Sequence, residues 1–179
     1  MAEHGIQDFL TAKRKAAARY GSVEAAALPS NSEIEAALIE YQRLFGASDH
    51  DQQIHQQRDC ALHVMQELSA FQPRLVGAVL TGTATAHSDI QLHVFTESPE
   101  NVSLALMERG IDYEITERRL RYGHELPRPH PGVRFQVGRQ SIDMTVFPLD
   151  GIRQAPTSPV DGRPMHRVDL AQLRELMAR

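Results

Sequence analysis

The hydrophobic period of this chain changes at Pro73, and that change limits the folds open to it. Upstream, apolar residues recur at helical spacing; downstream, they come in short runs or strict alternation, the pattern of strands. Ile6, Phe9, Leu10 and Ala17 trace a first helix that Gly21 ends. Ser32 and Glu35 have capping-box spacing at the head of a second, with an apolar stripe through Ile34, Leu38, Tyr41 or Gln42, and Phe45, stopped at Gly46. The third, from about Asp49 to Phe71, is glutamine-rich at first and then amphipathic through Ile54, Ala61, Val64 or Met65, and Leu68. Pro73 cannot continue it.

Beyond Pro73 the run RLVGAVLT predicts a strand over Leu75 to Leu80, and DIQLHVFT predicts one over Asp89 to Thr96. In the second, Ile90, Leu92 and Val94 alternate with Asp89, Gln91, His93 and Phe95. NVSLALMER is a short helix closed by Gly110, and YEITER is a further strand. RRLRYGHELPRPHPG reads as a polar, proline-bearing loop. VRFQV and SIDMTVF alternate on either side of Gly138, Arg139 and Gln140, which predicts a hairpin with a connection of three or four residues. Turn and hairpin lengths leave few ways to bury these faces apart, so Leu75 to Leu80, Asp89 to Thr96 and Ser141 to Phe147 are expected in one sheet. The class is α/β in the broad sense (α+β): a mixed sheet with flanking helices. Residues 1–47 form a helical extension, 48–150 the core, and 151–179 a linker with Pro156, Pro159, Gly162 and Pro164 before a last helix that Asp169 opens.

Composition removes several functions. With 179 residues, 41% of them hydrophobic and 23% charged, the chain has enough apolar content for one cored domain with an appendage. A formal net charge of -4 argues against generic nucleic-acid binding, which needs an excess of Lys and Arg. A local excess does exist at Arg118, Arg119, Arg121, Arg128, Arg134 and Arg139, which suits a phosphate and equally suits a solvated loop. Cys60 is the sole cysteine, so neither an intramolecular disulfide nor a thiolate zinc site follows. No apolar stretch reaches bilayer length, and the expectation is a cytoplasmic protein without a membrane role. The phosphate loop, dinucleotide fingerprint, nucleophile elbow and HExxH motif are all missing.

The stretch VLTGTATAHSDIQLHVF, together with SIDMTVF further on, resembles the signature of the polymerase-beta-like nucleotidyltransferase superfamily over about Arg74 to Pro148. The resemblance implies a nucleotidyltransferase-like core in residues 48–150. It places Gly82 and Thr83 at the turn facing a triphosphate, with Ser88 and Arg139 beside the nucleotide. It makes Asp89 and Asp143 catalytic carboxylates and Asp89, Gln91 and Asp143 the ligands of Mg²⁺, with a nucleoside triphosphate as substrate. The implied reaction passes a nucleoside monophosphate to an acceptor hydroxyl, two cations activating the attacking oxygen and stabilising the leaving pyrophosphate. Residues i and i+2 of a strand share a face, so the family's second carboxylate belongs where this chain has Gln91. An amide oxygen can coordinate a hard cation but adds no charge. Two readings therefore stand: a transferase, or a non-catalytic descendant that binds a nucleotide or phosphorylated small molecule. A third is an interaction protein whose helical extension contacts a partner or a second copy as a homodimer.

Overall fold

A computed structural model describes residues 9–20, 28–45 and 47–178; Ile6, Gly21 and Gly46 lie outside the described residues. Three helices come first, α1 (Phe9–Tyr20), α2 (Asn31–Phe45) and α3 (Ala47–Glu67). The capping box of α2 sits two residues earlier than the sequence reading placed it. The Ser30 hydroxyl accepts from the Glu33 amide at 3.2 Å, and the Glu33 carboxylate accepts from the Ser30 amide at 2.7 Å. Both pairs have the spacing, and the earlier one gives the helix an additional half-turn. Helix α3 turns Ile54, Ala61, Val64 and Met65 into the core, followed there by Leu68. Among the described residues no helix is long and apolar enough to cross a membrane.

After a 3-10 turn at Ser69–Phe71 the chain forms β1 (Arg74–Val76), α4 (Gly77–Thr81), β2 (Ile90–Phe95), α5 (Glu100–Glu108), β3 (Tyr113–Leu120), β4 (Arg128–Val137) and β5 (Gln140–Phe147), and it ends in α6 (Leu170–Met177). The five strands make one mixed sheet in the order β1-β2-β5-β4-β3, with β2 and β5 parallel and every other pairing antiparallel. The expected single sheet is therefore present.

Three expectations are corrected. The first strand stops at Val76, because Gly77 adopts a φ of +72° and the apolar run continues as α4, burying Val79 and Leu80. A continuous apolar run serves a buried strand and a buried helix equally, so periodicity could not separate them. The polar loop also shrinks to residues 121–127, since Arg118 to Leu120 belong to β3 and Arg128 to Gly132 to β4. Pro129 and Pro131 are tolerated because the β4–β5 pairing reaches back only to Gly132, leaving that end of β4 a single partner. The hairpin connection is two residues, Gly138 and Arg139, with Gly138 at φ +59°.

The two faces of the sheet differ in chemistry. Ile90, Leu92, Val94, Ile142, Met144, Val146, Val133 and Phe135 form the buried apolar face, joined in one core by residues of α3, by Val102 and Leu106 of α5 and by Leu173 of α6. The other face carries Gln91, His93 and Phe95 from β2, Asp143, Thr145 and Phe147 from β5, Gly132 and Arg134 from β4, and Thr116 and Arg118 from β3. Past β5, a 3-10 turn at Leu149–Ile152 begins a strap, residues 153–168, that returns to β1 through a Leu75–Val168 bridge. Asp169 then opens α6 with a capping box to Gln172, as the sequence indicates.

Gly132 is the tightest point of the polar face. A β-carbon there would lie 2.6 Å from Thr116 Oγ1 and 2.7 Å from the Met144 carbonyl oxygen. The side chain can rotate away, but the backbone carbonyl cannot without breaking sheet register. Gly132→Ala should therefore cost about 1–3 kcal/mol of stability by urea denaturation, and adding Thr116→Ala, which removes the hydroxyl, should recover little of it. Wild-type stability in Gly132→Ala would show that this contact relaxes freely.

Candidate functional site

Asp143 is held on the central strand β5 directly opposite Gln91 of β2 on one side and Arg134 of β4 on the other. Its side chain is 1% exposed, and a bare carboxylate at such a place would be severely destabilising. Two guanidinium groups meet it. Arg134 Nη2 lies 3.5 Å from Asp143 Oδ2, and Arg118, reaching diagonally from β3, makes a close ion pair with the same oxygen. Arg134 Nη2 also donates to Asp89 Oδ2 at 3.2 Å, just before β2 begins. Because both carboxylates touch one nitrogen, their nearer oxygens are within about 7 Å of each other, an upper bound wider than the ~5 Å that two oxygens on one hard cation can span.

The charges are layered. Asp143 and Asp89 lie beneath, 1% and 11% exposed, while Arg118 and Arg134 lie above at 37% and 41%. Burial lowers the pKa of the Arg118 guanidinium and the Arg134 charge lowers it further, with Asp89 pulling the other way. Arg134 Nε, Thr116 Oγ1 and Asp143 Oδ1 are buried here without hydrogen-bond partners, and Asp143 Oδ2 relies on ion pairing alone. Orphaned polar atoms are uncommon in folded chains, and here they gather on one patch of sheet.

The donor set does not fit a two-cation cage. Of Asp89, Gln91 and Asp143 only two carry charge, and both already face guanidinium groups. The Gln91 amide oxygen lies over Gly77, where a β-carbon would come within 2.4 Å of it. Among the described residues no group of three or more His, Cys, Asp or Glu side chains converges to hold a metal ion. A divalent ion entering here has first to displace Arg134 and Arg118.

The Gly82–Thr83 turn is closed by its own hydrogen bonds. Gly82 takes a left-handed φ of +80° at the end of α4, and the amides of Thr83 and Ala84 both donate to the Ala78 carbonyl, at 2.9 and 3.1 Å. The Thr85 amide donates to Ser88 Oγ at 2.9 Å, and the Ser88 amide to the Thr85 carbonyl at 3.0 Å. Thr83 is buried, its hydroxyl 2.9 Å from that of Thr81. These amides are consumed within the turn, so they do not form a free cradle for phosphate. Arg139 sits exposed at the tip of the β4–β5 hairpin, two residues before Ser141.

Helix α3 grips the same turn by its carbonyls. His50 Nε2 is 2.8 Å from the Gly82 carbonyl, and Gln57 Nε2 donates to Thr85 O at 3.0 Å. Arg58 donates to the carbonyls of Val79 and Leu80 at 3.1 and 3.0 Å, covering the end of α4. The sequence carried a sign of this in the polar residues at positions 50, 53, 57 and 58, which share one face of the glutamine-rich helix with Ile54 and Ala61. Arg118 and Arg134 were visible only as members of a charge cluster, because nothing local says which arginine of six faces Asp143.

His93 has a structural task. Its ring is 3% exposed, 4.6 Å from Phe147, and its Nδ1 accepts from Arg167 Nε at 2.9 Å. Arg167 lies over Phe95 and Phe147, 5.1 and 4.8 Å from their ring centres, and donates to the Gly151 carbonyl at 2.8 Å. An acceptor nitrogen must be unprotonated, so the clasp requires neutral His93. Compared with family models, with curated proteins and with solved structures, the chain matches none.

Burial holds the His93 pKa well below its ordinary 6.5, with Arg167, His130 and Arg118 adding to the effect. The unfolded chain therefore takes up a proton that the folded chain refuses, and stability falls as pH drops below about 6.5, until the depressed folded value is reached. Urea denaturation of the wild type should lose up to ~1.4 kcal/mol per pH unit below that point. His93→Gln should flatten most of the slope, with His130, also lowered by burial, supplying the remainder. A wild-type stability that stays level down to pH ~5 would mean that protonated His93 fits the fold.

Proposed function

We propose that this chain is a nucleotidyltransferase-like protein that binds a phosphorylated ligand without metal and does not transfer a nucleotide. The observation that carries the reading is the guanidinium of Arg134, which touches both Asp89 and Asp143. In the superfamily that the sequence resembles, carboxylates at these two positions serve cations. Here, fixed cations of the chain serve them, and the missing charge at Gln91 fits that exchange. Transfer depends on divalent ions at both the attacking and the leaving oxygen, for which the donor set has no room.

Binding is favoured by the same layering. A carboxylate under a guanidinium fixes the plane of its donor fork, and the outer N–H groups remain directed to solvent. Arg118 and Arg134 side by side, each about two-fifths exposed, therefore present a preorganised pair of forks to a phosphate. Asp89 and Asp143 orient the arginines and do not touch the ligand in this reading.

Calorimetric titration with ATP and with inorganic phosphate, each with and without Mg²⁺, tests it. Binding should be the same in both conditions, Arg118→Gln should weaken it about tenfold, equivalent to ~1.4 kcal/mol, and no pyrophosphate should appear with ATP. Mg²⁺ should not raise the melting temperature of the wild type. Binding that requires Mg²⁺, or release of pyrophosphate, would return the chain to the transferases.

A further inference from the structure

The basic surface does not end at the arginine pair. Arg118 is paired across the strands with His130, and Tyr122, just past β3, places its hydroxyl 3.1 Å from His130 Nε2. Tyr122 also lines a cleft of about 300 Å³ between the 121–127 loop and the strap, whose other wall carries Arg153, Gln154 and Thr157. The walls are tied together. The Thr157 amide donates to the Arg121 carbonyl at 2.7 Å, and Thr157 Oγ1 accepts from the Gly123 amide at 2.8 Å. This cleft is thus formed before any ligand arrives, which lowers the ordering cost of binding.

One arginine lines it and two others lie near Tyr122. Arg128 lies 5.7 Å from the centre of the Tyr122 ring, Arg153 is in the wall, and both Arg128 and Arg167 exert their charge on the Tyr122 phenol. Arg167 Nη2 is buried without a hydrogen-bond partner. Glu125, 2.5 Å from Arg128, forms an exposed pair of the kind an incoming phosphate displaces at little cost, and Asp161 adjoins the lining residue Gly162. Tyr122 is four residues beyond Arg118, so the two basic regions are separated by at most roughly 13 Å of extended chain.

Resting on the reading that Arg118 and Arg134 hold a phosphate, we propose that the Tyr122 cleft is a second anion subsite of the same site. The ligand is then a small bis-anion with a phosphate at each end of a short polyol, the class of the sugar bisphosphates. A nucleobase fits less well. Phe95 and Phe147 are buried and covered by Arg167, and Tyr122 is already flanked by Arg128 and His130, so these rings offer no free face for stacking. Between the two subsites lie His130 and Tyr122, and the cleft adds Gln154, donors and acceptors suited to hydroxyl groups.

Titration calorimetry of the full chain with inorganic phosphate, fructose 6-phosphate and fructose 1,6-bisphosphate decides it. The bisphosphate should bind about tenfold tighter than the monophosphate. Arg153→Gln, at an exposed position, should remove that advantage and leave inorganic phosphate unaffected, whereas Arg118→Gln should weaken all three. Equal affinity for mono- and bisphosphate would overturn the second subsite while leaving the arginine pair intact. No binding of any of the three would overturn the arginine-pair reading and this inference with it. A short oligoribonucleotide that competes with phosphate and binds more tightly than the bisphosphate would replace the polyol with a nucleic-acid strand.

Discussion

A carboxylate on the central strand of a five-stranded sheet, with almost none of its surface in water, sets the terms for everything around it. Asp143 has Gln91 on one side and Arg134 on the other, and Arg118 reaches it from two strands away. Removing either guanidinium leaves a buried charge short of compensation, which is far more destabilising than the intact cluster is stabilising. The strand order, the polar character of one sheet face and the position of β3 at the edge all serve this neutralisation. A sheet with two apolar faces would need a second layer of helices; this one needs arginines.

Helix α3 is the second constraint, and it acts through backbone carbonyls rather than through charge. His50, Gln57 and Arg58 hold the end of α4 and the turn that follows it. The turn precedes β2, so the grip also fixes where β2 begins and where Asp89 lies relative to Arg134. The same helix supplies apolar residues to the core. One element thereby links the packing of the apolar face to the alignment of the polar one.

Much of this was legible in the sequence, for identifiable reasons. The change of period at Pro73, the alternation in DIQLHVF and the hairpin at Gly138 fixed β2, β4 and β5, because one-sided burial writes itself as a two-residue period. Leu75 to Leu80 reads as one strand because an apolar run has no period to betray the helix that begins at Gly77. The ends of β3 and β4 were read as loop because their outward residues are Arg, His and Pro, residues that mark loops when nothing reveals a buried carboxylate to be opposed. Asp89 and Asp143 stood out as a pair, while their partners did not. An ion pair between strands leaves no trace in either strand alone.

Arg118, Arg134 and Asp143 all belong to the β3–β4–β5 meander, a stretch of antiparallel hairpins, whereas Asp89 joins only through the parallel β2–β5 pairing. Hairpins close short loops and form early; parallel pairing closes a long one and forms late. On closure entropy alone, Asp143 is expected to meet its arginines while the chain is still open to water, with β2 docking afterwards against a charge that is already neutral. The segment carries its own counter-ions, so the burial of the carboxylate waits on no ion from solution.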